Sequence, residues 1–200
     1  MRYSTENAVS PVVGVMLMLV VTIIIAAVVS AFAGGFVATQ SKPYQATIQG
    51  TYSISQGMTI THAGGDTLPT SQLVFTIYDG PTFGPGLKEQ TTQTLDLKNI
   101  TDAKGNPVQW SDGGYNITSF KSGDSLYING SQTTCNVFQP INMPSPWALQ
   151  SGSTYAYTGF KQAFWRLCIR NDDNVGKTFT LVVSDTKGNM ISSSDVTITS

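Results

Sequence analysis

The sequence VVGVMLMLVVTIIIAAVVSAFA, residues 12–33, decides how the rest of the chain must be arranged. It contains only two polar side chains, Thr22 and Ser30, and no charged one. As an α-helix it would be about 33 Å long, because the rise is about 1.5 Å per residue, whereas the hydrocarbon core of a bilayer is about 30 Å thick. Buried core helices are usually shorter and amphipathic, but this segment is apolar on every side. It therefore predicts a helix that can cross a membrane.

The flanking residues predict where this helix begins and ends. Ser10-Pro11 supplies an N-cap followed by a proline suited to the first turn. Gly34-Gly35 indicates the end of the helix or a flexible joint. Thr22 and Ser30 are compatible with the helix, because their hydroxyls can bond to the carbonyl one turn earlier. Ala31-Phe32-Ala33 resembles the cut site of a secretory signal, but the apolar stretch is long for such a signal.

Small residues recur at every fourth position in the second half of this segment. Small side chains let helix backbones approach closely, so these positions favour packing of the helix against others of its kind. Membrane helices of similar composition also show this spacing by chance, which leaves self-association favoured and unproven. The two series are Ala26, Ser30 and Gly34, and Ala27, Ala31 and Gly35.

Charge divides the chain into two parts. Of 23 charged residues in the 200, only Arg2 and Glu6 precede Lys42. The remainder, residues 42–200, is called the head below. Its 10 Lys or Arg and 11 Asp or Glu are dispersed, whereas nucleic-acid binding requires clustered basic residues. About 160 residues suffice for one domain with its own core. The abundance of Ser, Thr, Gly and Asn fits an extracellular surface.

Alternating apolar and polar residues predict a β-rich head. Ala46, Ile48, Gly50, Tyr52 and Ile54 would lie on one face of a strand, with polar residues between them. About eight such strands separated by turn residues suggest a two-sheet, immunoglobulin-like sandwich, and with the helix they place the chain in the α+β class. We expect no strong helix in the head and a surface excursion over 138–158. The predicted strands are 46–55, 58–62, 73–78, 93–100, 125–129, 160–170, 177–184 and 191–199.

Cys135 and Cys168 are the only cysteines. Outside the cell two cysteines tend to pair, and closing this loop would stabilise the head by roughly 3 to 4 kcal/mol in the chain-entropy model. In a strand over 160–170, Cys168 would lie on the face opposite Leu167 and Ile169, with its sulfur near the surface. The alternative is two reduced structural thiols.

Three Asn-x-Ser/Thr sequons occur, at Asn99, Asn116 and Asn129. Each alone is weak, because a polar chain of this size contains one or two by chance. On an extracellular head they become candidate glycosylation sites.

The sequence offers little for catalysis. His62 is the sole histidine, so we expect neither a histidine metal site nor a Ser-His-Asp triad. His62 and Asp66 lie close enough in sequence for a base and its partner, but Gly64 and Gly65 between them indicate a structural turn with positive φ. Asp172-Asp173-Asn174 lacks the spacing of a calcium loop and is expected to be a solvated turn. We predict no enzyme, no cofactor and no metal.

Two separated motifs resemble archaeal type IV pilins. The run AVSPVVGV, residues 8–15, continuing into MLMLVVTIIIAAVVSAF, is similar to the N-terminal domain of that family. In the head, ITHAGGDTL, residues 60–68, resembles the His-x-Gly-Gly-Asp turn common in the family, with His62, Gly64, Gly65 and Asp66 at its motif positions. The rest of the head resembles only a β-rich pilin head.

The resemblance implies a prepilin whose leader, residues 1–7, is removed on the cytoplasmic side by a prepilin peptidase that cuts between Asn7 and Ala8. The usual small residue before the cut is replaced here by Asn7. Residues 8–41 would form the helix and a hinge, spanning the membrane before assembly, and 42–200 the extracellular head. The resemblance also implies an assembly ATPase and a membrane platform as partners.

The sequence therefore predicts a structural subunit of an extracellular type IV pilus-like filament, polymerised through its helix with copies of itself and serving surface adhesion. One alternative is a membrane-anchored binding module that never polymerises and holds a sugar or other solute. Another is a subunit of a motility filament of the archaellum type. No nucleic-acid partner is expected.

Overall fold

The computed structural model describes residues 11–35, 42–84, 86–133, 135–140 and 167–200. The chain divides into two compact units, Met1–Lys42 and Pro43–Ser200. The first unit contains the helix α1, Pro11–Gly35, and the second is mostly β-structure. The predicted α+β class, an apolar N-terminal helix followed by a β-rich domain, is confirmed.

The described part of the second unit contains nine strands and two single-turn helices. The helices are α2, Lys88–Thr91, and α3, Cys135–Phe138. The strands are β1 Ala46–Ser53, β2 Gly57–Gly65, β3 Leu68–Pro69, β4 Leu73–Asp79, β5 Gln93–Thr94, β6 Ser119–Phe120, β7 Ser125–Asn129, β8 Thr178–Asp185 and β9 Met190–Thr199.

Seven strands form one curled sheet in the order β5-β4-β8-β9-β1-β2-β7, and β3 pairs with β6 in a small second sheet. All neighbours in the large sheet are antiparallel except β1 and β9, which share two residue pairs, Tyr52 with Ile198 and Ser53 with Thr199. Towards the start of β1, the amides of Ile48 and Gly50 donate instead to the hydroxyls of Ser192 and Ser194, at 3.0 and 3.3 Å. Side chains thus replace the backbone ladder there, and a three-stranded and a four-stranded half meet at this junction.

Both halves of the large sheet contribute to one hydrophobic core. Along β4 the buried residues alternate with half-buried ones, as expected for a strand with one face in the core. Tyr52 on β1 lies edge-on to Phe138 and to Phe179, with ring centroids 5.7 Å apart in each pair. Each fully buried large side chain contributes about 1.5 to 3 kcal/mol of transfer free energy. The strands are therefore held by packing across the curled sheet as well as by hydrogen bonds.

Five predicted strands are confirmed to within about two residues and correspond to β1, β4, β7, β8 and β9. The strand predicted over 58–62 is also confirmed, within a longer β2 that continues to Gly65. The strand predicted over 93–100 is wrong beyond Thr94, because Asp96 accepts hydrogen bonds from the amides of Lys98 and Asn99 and makes a turn. The strand predicted over 160–170 is wrong for its described residues 167–170, which form no strand. The excursion predicted from residue 138 begins instead with a core residue, since Phe138 is 1% exposed, and residues 141–158 lie outside the described ranges.

Candidate functional site

The helix α1 exposes an apolar surface around its whole circumference. Every side chain from Val12 to Phe32 is exposed within its own unit, and the segment has a mean hydropathy of 3.2. It is long and apolar enough to cross a membrane. The Thr22 hydroxyl donates to the carbonyl of Leu19 at 2.9 Å, so this polar group is satisfied within the helix as expected. In water such a surface would be strongly unfavourable, and the helix requires lipid or other apolar helices around it.

The predicted packing residues lie in the second half of α1. Residues four apart share a helix face, so the two series form adjacent stripes of low relief. Ala26, Ala27, Ser30 and Ala31 are exposed, and Gly34 and Gly35 are the last two residues of the helix. A flat stripe between larger side chains is a surface onto which another helix can pack closely.

His62 is a buried residue of β2 and is 0% exposed. Its Nε2 lies 3.0 Å from the carbonyl oxygen of Asp66, and its ring meets Phe120 edge-on with centroids 5.1 Å apart. Because a carbonyl oxygen can only accept, Nε2 carries the proton and donates. Nδ1 is buried without a hydrogen-bond partner among the described residues. The contact between His62 and Asp66 therefore involves the main chain of Asp66 and joins two ends of a loop.

The two glycines of the motif belong to the end of β2. Thr47 pairs with Gly64 and Ile48 with His62, which leaves Ala63 as the extra residue of a β-bulge. Gly65 has a φ of 111°, and a Cβ there would lie 2.4 Å from the carbonyl oxygen of Gln45, so only glycine fits. The expected positive φ at Gly64 is wrong, because that residue continues the strand.

Asp66 closes the motif against the residue before β1. Its carboxylate Oδ2 accepts from the amide of Gln45 at 3.0 Å, and its own amide donates to the Gln45 carbonyl at 2.8 Å. The carboxylate thus holds the start of the β1–β2 pair, as an Asp in a turn typically does. The His62–Asp66 region is accordingly an organising element of the head.

Gln139 connects three parts of the head and is 1% exposed. Its Nε2 donates to Oδ1 of Asp79 at 2.7 Å and to the carbonyl of Leu167 at 2.6 Å. Its Oε1 accepts from the amide of Ile169 at 3.2 Å. One amide side chain therefore fastens the residues after α3 and the segment 167–169 to β4.

Cys168 lies in this tightly packed region. It is 0% exposed, and its neighbours Leu167 and Ile169 are also buried. The expectation that its sulfur lies near the surface is wrong, because without a strand the side chains do not alternate between two faces. Cys135 is the first residue of α3, four positions before Gln139, so the Gln139 bonds bring the two cysteine-bearing segments together.

Asp79 is a buried carboxyl group at the end of β4, 3% exposed. Burial raises its pKa from 3.8 to about 7, although the hydrogen bond from Gln139 and the charge of Lys177 act in the opposite direction. Its Oδ2 has no hydrogen-bond partner within the described residues. Lys177 itself donates to Oδ1 of Asn174 at 2.7 Å. Sequence reasoning missed this group, since Asp79-Gly80-Pro81 has the composition of a solvated turn.

The three sequons differ in accessibility. Asn116 and Asn129 are exposed, whereas Asn99 is half-buried. Oδ1 of Asn129 accepts from the amide and the hydroxyl of Ser131, at 3.0 and 3.1 Å. Thr118 and Ser131 are exposed too, but the Asn129 side chain is engaged by Ser131, so the Asn116 sequon is the most open to an enzyme in the folded head.

Neither a metal cluster nor a catalytic arrangement emerges from the described ranges. They contain no group of three or more His, Cys, Asp or Glu side chains able to hold a metal ion. Asp172–Asn174 forms a single 3-10 turn in which Oδ1 of Asn171 accepts from the amide of Asp173 at 3.1 Å. Both Asp172 and Asp173 are exposed, as expected for a solvated turn.

A helix apolar on all sides, followed in sequence by a β-rich unit, defines a class of protein that is anchored or assembled through that helix. Residues 7–48 match a family model described as archaeal type IV pilin, N-terminal. The match contains α1 and supports an archaeal type IV pilin, which confirms the resemblance noted for the N-terminal run. The head motif at residues 60–68 lies beyond the matched residues. Pilins are structural subunits, not enzymes. No curated protein matches the chain.

Proposed function

We propose that the chain is a structural subunit of an extracellular type IV pilus-like filament and polymerises through α1. The observation that carries this is the exposed apolar surface of α1 within a segment that matches the pilin N-terminal region. Before assembly the helix spans the membrane, and in the filament it packs against copies of itself. Surface adhesion by the displayed heads is the proposed biological use.

Transfer of the helix from lipid to filament core brings no hydrophobic gain, because lipid tails are as apolar as leucine side chains. Helix packing and contacts between heads must therefore favour the polymer, and an energy-coupled machine is needed to extract the subunits. A secretion-type ATPase and a membrane platform fill this role in the proposal. A prepilin peptidase removes residues 1–7, because Arg2 and Glu6 would otherwise be buried among apolar helices.

Filaments sheared from cells should contain this chain, and its N-terminal sequence in them should begin at Ala8. Electron microscopy with peptide sequencing of the purified filaments measures both. The membrane fraction of the same cells is the control, because unassembled precursor should be found there. Detection of the chain only in that fraction would favour a non-polymerising anchor, and recovery of Met1 to Asn7 from filaments would refute the cleavage.

A second candidate function is a membrane-anchored binding module that uses its head to hold a solute. It is favoured by a cleft in the second unit that is lined by residues including Asp102, Lys104, Asp124 and Tyr127. Filament assembly and ligand binding are compatible, so the shearing experiment decides only whether the helix polymerises.

A motility filament of the archaellum type would also be sheared from cells, and swimming of a deletion strain distinguishes it from an adhesive pilus.

We further propose a disulfide between Cys135 and Cys168, which would reinforce the region that Gln139 fastens to β4. The Gln139 bonds to Leu167 and Ile169 support it, because they hold the residues that follow Cys135 against the two neighbours of Cys168. Protein denatured without reductant should contain no titratable thiol, and the Cys135→Ser, Cys168→Ser double variant should lose roughly 3 kcal/mol of stability. Two thiols per chain in the native protein would rule the bond out.

Glycans on the sequons would cover the filament surface, and Asn116 is the site we expect to be occupied first. Intact mass spectrometry of filament subunits should exceed the polypeptide mass by whole sugar residues. Asn116→Gln should remove one such increment of mass. Asn129→Gln, which alters the other exposed sequon, is the comparison. A mass equal to that of the bare polypeptide would exclude glycosylation.

A further inference from the structure

A cleft of about 430 Å³ lies between β6, the start of β7 and the loop around Lys104. This volume is within the usual range for small-molecule sites. Tyr127, a half-buried aromatic residue, is among its lining residues, and Phe120 and Leu126 are buried beneath it in the core. The cleft thus presents polar side chains from two turns above a buried apolar layer.

One wall is a rigid turn, Asp102 to Asn106. The carboxylate of Asp102 accepts from the amides of Lys104 and Asn106, at 2.8 and 2.9 Å, and from Nδ2 of Asn106 at 3.1 Å. These hydrogen bonds from Asn106 and Lys104 lower the pKa of Asp102, so the carboxylate remains ionised. The turn places the exposed Lys104 at the cleft.

The opposite wall is the turn from Lys121 to Asp124, which is fixed to the His62 motif. The amide of His62 donates to the carbonyl of Asp124 at 3.0 Å, and the amide of Gly123 donates to the carbonyl of His62 at 2.8 Å. The His62 ring also supports Phe120 from behind. The buried His62 motif thus holds the apolar layer beneath the cleft and one of its walls in place.

Several polar groups of the cleft are free to bind a ligand. Oδ2 of Asp124 accepts from the amide of Lys121 at 2.9 Å, which leaves Oδ1 available. The side chains of Lys104, Ser119 and Tyr127 make no hydrogen bond to another described residue. A carboxylate acceptor, an ammonium donor, two hydroxyls and an aromatic ring therefore line one open cleft.

We propose that this cleft binds a neutral saccharide. Hydroxyl groups of a sugar can donate to Asp124 and accept from Lys104, and these charge-assisted bonds are the strong class of hydrogen bond. The ring of Tyr127 offers an apolar, polarisable surface for a sugar ring. The two walls carry two carboxylates, Asp102 and Asp124, and two ammonium groups, Lys104 and Lys121, so their net charge is zero and an uncharged ligand is favoured. The inference deepens the proposed adhesive use of the head and does not depend on polymerisation.

The sequence contains a matched control for this site. Asp185 to Asn189 repeats the Asp-x-Lys-Gly-Asn pattern, and Asp185 accepts from the amides of Lys187 and Asn189 and from Nδ2 of Asn189 at 2.8 to 2.9 Å. Lys187 therefore occupies the same position in a twin turn, but it does not line the cleft. Lys104→Ala and Lys187→Ala remove the same side chain from equivalent backbones.

Binding is measured on the full chain in phosphocholine micelles, which carry no sugar, by saturation-transfer NMR. The probes are the methyl glycosides of glucose, galactose, mannose and N-acetylglucosamine, with glucuronic acid as the anionic comparator. At least one neutral glycoside should bind at millimolar concentration. Lys104→Ala and Asp124→Asn should each weaken it by about tenfold, whereas Lys187→Ala should leave it unchanged.

The proposal is overturned if no neutral glycoside binds, if glucuronic acid binds more tightly than all of them, or if Lys187→Ala has the same effect as Lys104→Ala. Equal melting temperatures of the variants exclude unfolding as the cause of lost binding. Because the measurement uses unassembled subunits, its failure would leave the filament function standing. If the chain forms no filaments but still binds glycoside, the filament function is refuted and the saccharide site stands.

Discussion

Asp79→Asn should stabilise the head above pH 7 and flatten its dependence on pH. Burial raises the pKa of Asp79 from 3.8 to about 7, so the folded state binds this proton more tightly than the unfolded state does. The stability associated with the protonated group is complete below pH 3.8 and is lost as the pH rises through about 7. A difference of about 3 pKa units corresponds to roughly 4 kcal/mol at the alkaline end. Asparagine cannot ionise and avoids this loss.

Urea unfolding of the full chain in detergent between pH 5 and pH 9 measures the effect. Within this range the wild type should lose stability from pH 5 to about pH 7 and stay level above it, because Asp79 is then ionised in both states. Asp79→Asn should change little throughout. Asp185→Asn is a matched control of opposite sign, because hydrogen bonds from Asn189 and the amide of Lys187 lower the pKa of Asp185. Asp185 therefore stabilises the fold at neutral pH, and its replacement should destabilise it. Equal pH slopes for the wild type and Asp79→Asn would contradict the role assigned to Asp79.

The pH sensitivity has a structural location. Gln139 donates to Asp79 and also holds the segment 167–169, so the Asp79 side chain belongs to the contact that fixes both flanks of residues 141–166. Lys177 is the cation whose charge acts on Asp79, and it limits the rise of the pKa. Hydrogen exchange at the amide of Ile169, which bonds to Gln139, reports directly on this contact.

The parts of the fold that the sequence predicted are those with local, periodic patterns. The apolar run of α1 needs no tertiary partner to be recognised, and β1, β4, β7, β8 and β9 have alternating or strongly apolar sequences. The strand over 93–100 was predicted too long because Asp96 makes a turn with its own neighbours. Strand propensity averaged over several residues does not reveal such a turn. β3 and β6, of two residues each, are too short to leave a period at all.

The candidate sites, too, were predictable where they rest on a local motif and unpredictable where they rest on contacts between distant residues. His62 and its glycines could be recognised as a motif, but their β-bulge and the burial of the imidazole depend on pairing with β1 and on Phe120. Asp79 was not recognisable as a buried group, because Gln139, the side chain that hydrogen-bonds to its carboxyl group, is 60 residues away in sequence. The cleft likewise joins two turns that are distant in the chain. Contacts between separated segments produce no repeating pattern in the sequence from which they could be predicted.

Replacing Ala27 or Ala31 by leucine should strongly reduce filament assembly and leave membrane insertion unchanged. Both residues lie on the small-residue stripe of α1, and each replacement adds three carbon atoms where a neighbouring helix is expected to approach. Overpacking of a close-packed interface costs about 1 to 3 kcal/mol per site, so we expect filament yield to fall by roughly tenfold. Leucine is at least as apolar as alanine, and the helix therefore still enters the bilayer.

Val29→Leu is the matched control, because it introduces the same residue in the same turn of the helix, on the face opposite the stripes, and adds only one carbon. Quantifying sheared filaments against the subunit in the membrane fraction separates assembly from insertion. The stripe explains the result only if Ala27→Leu and Ala31→Leu lower the filament fraction while Val29→Leu and the membrane fraction remain at wild-type levels. Normal filaments from both alanine variants would mean that α1 packs through a different face. Equal loss in all three variants would mean that the whole circumference is enclosed by neighbouring helices.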